Sequence, residues 1–213
     1  MSGVSDIGRL MEFLRDPSSG ARLSQDQYGR DFADRLWLAD NRDTWKLERR
    51  QFYDETGFPS WDAFADGDLD RSMELYAEMR PELQAFFRRY QERGSRFRRI
   101  RVVETQPTPY LHWEVHCLRV RAQCGEHISV VPAERLSALE PLGRVVPELV
   151  SLCGATLYVT EYDDGGKPAG ARRFTDREVI ASYEGLAGEL FRSGEDLESY
   201  FEREVAPSPP PSC

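Results

Sequence analysis

The spacing of hydrophobic positions predicts three helices in the first half of the chain. Apolar residues recur at helical intervals in 5–15, within 24–40 and throughout 71–93. Ser5 is a candidate N-cap for the first of these helices. Pro81 predicts a kink or a restart of the third helix just before it, because proline lacks the backbone N–H that a helix interior needs.

A second pattern, short runs of β-branched and apolar residues, predicts strands. The predicted strands cover residues 44–49, 97–103, 127–131, 148–152, 155–162 and 169–174. In 44–49 only Trp45 and Leu47 are apolar and they alternate with polar residues, which favours an edge strand. The Asp- and Gly-rich segment 163–167 predicts the tight turn of a hairpin.

Residues 108–125 fit two structures. Apolar and polar residues alternate through 110–117, which is typical of a strand. Thr108 followed by Pro109 resembles a helix N-cap and first helical position, and Gly125 would end such a helix. The end signals agree with a helical stripe, so a helix is favoured, with a strand as the open alternative.

The remaining segments complete the predicted order of elements. Further helices are predicted at 133–139, 176–192 and 195–204. Thr175 and Glu178 form a candidate capping box at the start of the second of these. Residues 58–70 are rich in Pro, Gly and Asp, and they are interpreted as a loop anchored by Trp61 and Phe64.

These elements predict an α+β (α/β-like) fold, a small mixed sheet with helices packed on it. Residues 1–43 are expected to form an N-terminal helical segment and 44–204 a single α/β domain. Residues 205–213 are expected to form a disordered, Pro-rich tail.

Composition narrows the class of protein. The chain has 213 residues, 40% of them hydrophobic, which suffices for a buried core. It lacks a run of 18 apolar residues and an apolar signal core, so no membrane partner and a cytoplasmic location are expected. Four cysteines are too few for a disulfide scaffold, and a net charge of −9 disfavours non-specific binding of nucleic acid.

Motifs for familiar enzyme classes are missing from the sequence. It contains no phosphate-binding loop, no dinucleotide fingerprint and no Gly-x-Ser-x-Gly elbow, and no cofactor is predicted. His112, His116 and His127 are the three histidines, and they lie close together in sequence. Two of them are one helical turn apart, a spacing that suits zinc. No second chelating unit accompanies them, so they are weak candidates and no metal site is predicted.

A run of arginines offers a candidate binding surface. Arg96, Arg98, Arg99 and Arg101 fall within six positions of an otherwise acidic chain. Guanidinium groups bind phosphate and carboxylate through paired hydrogen bonds, which suggests an anionic small molecule or a protein partner. The alternative is that these arginines pair with the chain's own Asp and Glu residues.

A second set of residues has the chemistry for acid–base catalysis. Tyr110, Glu114 and Glu126 are the candidate catalytic residues, and Trp113 and Glu48 are candidate ligand contacts. A carboxylate or phenol beside a buried tryptophan can have a raised pKa and act as acid or base. Ordinary buried ion pairs with arginine would give the same pattern.

Two functions from different classes follow. The first is an accessory or regulatory protein that binds a partner or anionic ligand through the Arg-rich segment. The second is a small biosynthetic enzyme of the acid–base or acyl/aminoacyl-transfer type, with a tRNA or nucleotide among its substrates. A homodimer is an open alternative under either hypothesis.

Several motifs together resemble a known but uncharacterised family. They are Trp45-Lys-Leu-Glu48-Arg49 with Tyr53, Trp61-x-x-Phe64-x-x-Gly67, Arg93-Gly94, Arg98–Val103, Pro109-Tyr110, Trp113-Glu114 and Gly125-Glu126. Across roughly residues 40 to 190 the chain is similar to an actinobacterial domain of unknown function, the 6879 family. The resemblance implies a small cytoplasmic protein, often encoded near regulators or in specialised-metabolite clusters, and it implies no catalytic residue. The order of elements is also analogous to a degenerate phospholipase D-like half, without its His-x-Lys signature.

Overall fold

One mixed sheet forms the centre of the protein. The computed structural model describes residues 3–38 and 40–207, and within them eight strands pair in the order β1-β7-β6-β5-β2-β3-β4-β8. The strands are β1 (Ala21–Ser24), β2 (Thr44–Glu48), β3 (Phe97–Val103), β4 (His127–Pro132), β5 (Glu148–Leu152), β6 (Thr156–Tyr162), β7 (Pro168–Phe174) and β8 (Glu195–Asp196). β2, β3 and β4 are parallel, and the other neighbours are antiparallel. The predicted α+β fold with a mixed sheet is confirmed.

Helices cover both faces of this sheet. They are α1 (Gly3–Arg15), α2 (Gln25–Arg35), α3 (Pro59–Ala65), α4 (Leu69–Ala77), α5 (Arg80–Glu92), α6 (Pro109–Gln123), α7 (Arg177–Ser193) and α8 (Leu197–Tyr200). α1 and α7 pack on one face, and α2 to α6 pack on the other. α8 and the π-helical turn Phe201–Val205 pack against α6 and β4. The crossovers that join the parallel strands therefore both use the α6 face.

The two central strands carry charged side chains on one face. Successive side chains of a strand point to opposite faces, and Ile100 of β3 lies in the core under α1 and α7. Arg99 and Arg101 therefore point toward α6. Parallel pairing places Lys46 of β2 beside Arg99 and Glu48 beside Arg101. Four charged groups are thus brought together beneath the α6 layer.

The open choice at 108–125 is decided in favour of a helix. The Thr108 side chain accepts a hydrogen bond from the Leu111 backbone N–H at 3.1 Å, and Pro109 is the first helical residue. Residues 110–115 are all buried, because α6 is enclosed by the sheet, α4 and α8. The alternation of apolar and polar residues in 110–117 resembled a strand because a helix that is buried on all sides does not show a single apolar stripe.

The edge position predicted for the strand at 44–49 is wrong. β2 lies between β5 and β3, near the middle of the sheet. The polar residues Lys46 and Glu48 suggested a solvated face, but that face is covered by helices and its charges are paired. The prediction failed because buried ion pairs and solvated charges give the same alternation in sequence.

Two predictions around α3 to α5 also need correction. The predicted loop at 58–70 contains α3 and the start of α4, because Pro59 opens one helix and the Asp68 side chain caps the next. The predicted helix at 71–93 is divided into α4 and α5. The division falls just before Pro81, where a kink or restart was expected, so that expectation is confirmed.

Helix ends differ in detail from the prediction. α1 begins at Gly3, before the candidate cap Ser5. At α7 the cap is Asp176 instead of Thr175, and its carboxylate accepts hydrogen bonds from the next backbone N–H groups. The predicted last helix begins with the short strand β8 and ends in the π-helical turn.

The first 43 residues contribute to the same sheet and cores as the rest of the chain. β1, a four-residue strand that the hydrophobic pattern did not predict, pairs with β7. Leu14 of α1 is fully buried in the core beneath α7. The tail predicted at 205–213 lies outside the described residues from 208 onward.

Candidate functional site

A cavity of about 300 Å³ lies between helix α6 and the central strands. We call it the α6 cavity. Its walls include Lys46, Glu48, Tyr110, Trp113, Glu114 and Tyr162. Strands β2 and β3 supply charged groups, α6 supplies aromatic and acidic groups, and the β6–β7 hairpin closes one side. The volume is that of a site for a small molecule.

The floor of the cavity is a chain of buried ion pairs. Arg99 Nη1 lies 2.5 Å from Glu48 Oε1, and Arg99 Nε lies 2.7 Å from Glu126 Oε1. Glu126 Oε2 in turn lies 2.5 Å from Arg121 Nε. Burial by itself would raise the pKa of Glu126, but Arg99 and Arg121 outweigh it and lower that pKa. Glu126 is therefore a fixed anion between two cations.

Glu48 is the unusual member of this chain. Its Oε1 contacts Lys46 Nζ at 2.7 Å as well as Arg99. Burial opposes ionisation of Glu48, yet the Arg99 and Lys46 cations outweigh it and hold the pKa of this carboxyl well below its usual range. The other oxygen, Oε2, is buried and has no hydrogen-bond partner in the described part of the chain. An ionised carboxylate thus keeps one acceptor unsatisfied.

A second buried pair joins β3 to α6. Arg101 Nη2 lies 2.6 Å from Glu114 Oε2, and Arg101 Nη1 donates a hydrogen bond of 2.7 Å to the carbonyl oxygen of Arg50. Arg101 is fully buried behind the cavity wall. Burial raises the pKa of Glu114 to about 7, against the opposing effect of the Arg101 guanidinium. Glu114 can therefore gain or lose a proton near neutral pH.

Aromatic rings form the upper walls. Tyr110 packs edge-on against Tyr53 and Trp113, with ring centroids 5.7 and 5.5 Å apart. The Trp113 Nε1–H donates to the Ser72 hydroxyl at 3.0 Å, which fixes the indole. Burial raises the pKa of the Tyr110 phenol, and Glu114 adds to that rise. Tyr110 is thus a neutral hydroxyl group at any ordinary pH, suited to donate a hydrogen bond.

The structure brings most of the sequence-predicted residues together. Glu48, Arg99, Tyr110, Trp113 and Glu114 all line the α6 cavity. They come from three elements that are far apart in sequence. The parallel pairing of β2 with β3 and the return of the chain through α6 bring them to one place.

Other predicted residues lie elsewhere. Arg98 points to the opposite face of the sheet, where its Nε lies 2.6 Å from Asp43 Oδ2 and its guanidinium stacks over Trp45. Arg96 is exposed, just before the first residue of β3. Glu126 and Arg101 support the cavity from behind without being part of its lining. The Arg-rich segment is therefore divided between two faces of the sheet.

The histidines do not converge on a metal site. His112 and His116 lie with their rings 5.2 Å apart, and His116 packs against Phe201. Burial lowers the pKa of His116 to about 4, and His112 adds to the shift. His127 is exposed at the start of β4. Among the residues that the structure describes, no group of three or more His, Cys, Asp and Glu side chains could hold a metal ion.

Several lining residues were not identified from the sequence. Tyr53, Asp54 and Glu55 lie in the segment between β2 and α3, and Phe58 immediately precedes α3. Tyr162 reaches the cavity from the end of β6. The Tyr-Asp-Glu run after a strand is the one local signal that could have pointed to them, because ligand-binding residues often follow strand ends.

Comparisons with known proteins give a family without an assigned activity. The chain matches the domain of unknown function DUF6879 over residues 30–202. A comparison with curated proteins finds no match. None of the helices in the described ranges is long and apolar enough to cross a membrane. The match covers the sheet from β2 to β8 and every wall of the α6 cavity, and the chain belongs to the DUF6879 family.

Proposed function

We propose that the protein binds a small organic molecule in the α6 cavity. The observation that carries this proposal is the buried Glu48 carboxylate, whose Oε2 lacks a hydrogen-bond partner among the described residues. Leaving a buried charged acceptor unsatisfied costs free energy, so such a group in a native structure calls for an explanation. A ligand that donates a hydrogen bond at this wall would supply the missing partner.

The surroundings of Glu48 support a ligand site more than a purely structural role. The cavity of about 300 Å³ combines aromatic walls with a few convergent polar groups, as small-molecule sites do. Trp113 is fixed by hydrogen bonds to Ser60 and Ser72, and Tyr53 donates to Glu148 Oε2 at 2.7 Å. The walls are therefore rigid before any ligand arrives, which reduces the entropy lost on binding.

The buried arginines act as internal counter-ions under this proposal. Arg99 and Arg101 contact Glu48, Glu126 and Glu114, so an anionic ligand would have to compete with three carboxylates. Engagement of a protein partner through Arg96 and Arg98 stays a prediction on the far side of the sheet. We also propose a cytoplasmic location, which the buried thiols Cys117 and Cys124 support.

A fragment screen with a cavity-filling variant tests the proposal. Cys117 lines the cavity, whereas Cys124 is buried at the C-cap of the same helix, outside the cavity. Fragments that raise the melting temperature of the natural protein should lose at least about tenfold in affinity in Cys117→Met, because the larger side chain occupies the cavity. The matched variant Cys124→Met should bind as the natural protein does. Equal binding by both variants would mean that the ligands sit elsewhere.

Acid–base catalysis in the same cavity is the second candidate function. The specific observation is that Glu114, with a pKa of about 7, lines the cavity together with the neutral Tyr110 phenol. A carboxylate with such a pKa suits proton abstraction at neutral pH, and Arg101 would stabilise its ionised form. Under this candidate the small biosynthetic enzyme anticipated from the sequence would use Glu114 as base and Tyr110 as hydrogen-bond donor.

The pH profile of turnover tests this second candidate. Once fragments identify a substrate class, the rate for the natural protein should rise with pH through about 7, as Glu114 loses its proton. Glu114→Gln should lower the rate by about two to four orders of magnitude, the usual contribution of a general base. An undiminished rate in Glu114→Gln would remove this residue from the mechanism.

A further inference from the structure

We propose that the ligand of the α6 cavity is a small organic cation with N–H donors, an amine or a guanidine. The inference rests on the proposed function and names its ligand class. It begins with Glu48. This carboxylate is ionised, so each of its oxygens can accept a hydrogen bond and neither can donate. The unsatisfied Oε2 therefore selects a ligand with an N–H or O–H group.

The charges of the lining exclude an anion. Each lining cation already contacts a carboxylate, with Lys46 on Glu48, Arg121 on Glu126 and Arg99 on both. A carboxylate or phosphate ligand would meet no uncommitted cation within the described lining.

The aromatic walls favour a cation over a neutral donor. The faces of electron-rich rings attract cations, and desolvation strengthens this attraction. Two of these rings already hold guanidinium groups of the chain itself. Arg50 lies 5.0 Å from the centre of the Tyr162 ring, and Arg101 lies 5.9 Å from that of Tyr53. Contacts between a cation and a ring therefore already occur at the walls of the cavity, and we assign the same kind of contact to the ligand inside it.

Acidic residues at the edge of the cavity complete the site. Glu55 accepts a hydrogen bond of 3.4 Å from the Tyr110 hydroxyl, and Asp54 lies 3.5 Å from Lys167 Nζ. Both carboxylates are partly exposed and belong to the segment after β2. Lys46, whose side chain is 35% exposed, contacts Glu48 as an alkylammonium ion. An incoming amine would contact the same carboxylate at its other oxygen, Oε2, while Lys46 stays on Oε1.

Three probes of matched shape test the ligand class. Binding of 2-phenylethylamine, 2-phenylethanol and phenylacetate is measured by calorimetry at about pH 8, where alkylamines stay protonated. The amine is expected to bind at least about tenfold more tightly than the alcohol, and phenylacetate is expected not to bind. Stronger binding of the alcohol or of phenylacetate would overturn the assignment.

Variants identify the group responsible. Glu48→Gln should abolish the preference for the amine and leave the weak binding of the alcohol. Glu55→Gln is the second variant, for use if Glu48→Gln fails to fold, because Glu55 is partly exposed. It should lower the preference for the amine. Glu134→Gln is the control, because Glu134 is exposed and outside the cavity. A preference unchanged in both Glu48→Gln and Glu55→Gln would overturn the assignment.

Failure of the ligand class is distinguishable from failure of the proposed function. If none of the three probes binds, but other fragments bind and lose affinity in Cys117→Met, the cation is wrong and the small-molecule site stands. If no fragment responds to Cys117→Met, the site and the ligand class fail together.

Discussion

Buried charge is the dominant feature at the scale of single residues. The arginines that looked like an exposed binding surface in sequence include two, Arg99 and Arg101, that are almost completely enclosed. Each is held by carboxylates from other elements. A buried ion pair contributes little net stability against an apolar pair of the same size, but removal of one partner leaves an uncompensated charge. These residues are therefore sensitive to single substitutions.

Glu126→Gln is expected to destabilise the protein strongly. The substitution removes the shared carboxylate between Arg99 and Arg121, which leaves the partly buried Arg121 without its carboxylate and the buried Arg99 with Glu48 alone. A loss of about 3–5 kcal/mol in the free energy of unfolding is expected, measured by urea denaturation. Glu198→Gln is the control, since Glu198 pairs with Arg119 on the surface and should cost about 1 kcal/mol or less. Similar losses in both variants would contradict the assignment.

The raised pKa of Glu114 predicts a pH dependence of stability. Between its ordinary value of 4.5 and about 7, Glu114 keeps a proton in the folded state that the unfolded state has lost. Its contribution to stability is therefore complete below pH 4.5 and is lost as the pH rises through about 7. The slope is about 1.4 kcal/mol per pH unit within this window.

Denaturation of the natural protein and of Glu114→Gln across this pH range isolates the effect. The other titrating groups are common to both proteins, so the difference in unfolding free energy reports Glu114. The natural protein should lose stability relative to the variant as the pH rises from 4.5 to about 7. A difference that stays constant, or that grows with pH, would mean that Glu114 has an ordinary or lowered pKa.

At the scale of elements, local signals located most helices and strands but not their neighbours. The Thr108–Pro109 signal correctly started α6, and Pro81 correctly divided the helices on either side of it. The edge position of β2 was wrong because the sheet order depends on contacts between distant segments. The α7 cap was misplaced by one residue because Thr175 and Asp176 are both good capping residues in sequence.

A pair of alanine variants tests the α7 cap. Asp176 Oδ1 accepts hydrogen bonds from the backbone N–H groups of Glu178 and Val179, at 2.8 and 3.0 Å. Asp176→Ala should lower the free energy of unfolding by about 1 kcal/mol, as for other N-cap residues. Thr175→Ala, one residue earlier, should change it by less than about 0.5 kcal/mol. Thermal denaturation of the two variants makes the comparison, and a larger loss in Thr175→Ala would restore the cap expected from sequence.

At the scale of the whole molecule, the N-terminal segment and the family region form a common core. The family match begins at residue 30, after α1 and β1. Yet Met11 and Leu14 of α1 are buried beneath α7. The Arg172 guanidinium of β7 donates hydrogen bonds of 2.6 Å to the carbonyl oxygens of Leu14 and Asp16, at the end of α1.

Deletion of residues 1–24 should therefore abolish the cooperative unfolding of the protein. The shortened chain would expose the α7 core, leave Arg172 without its carbonyl partners and remove the strand that covers β7. We expect the full chain to unfold in one sharp transition, and the shortened chain to show a broad transition or none, by circular dichroism. A sharp transition within a few degrees of the full chain would show that the family region folds by itself.

The sequence by itself determined the class of fold, the approximate position of most helices and strands and the chemistry available to the site. These properties follow from side-chain periodicity and from capping residues, which act over a few positions. Only the tertiary structure decided which charges meet. The alternation of β3 places Arg99 and Arg101 on one face, but Glu48, Glu114 and Glu126 reach them through parallel pairing and the two crossovers. Whether a charged face is solvated or buried depends on what the rest of the chain packs against it, and local sequence does not contain that information.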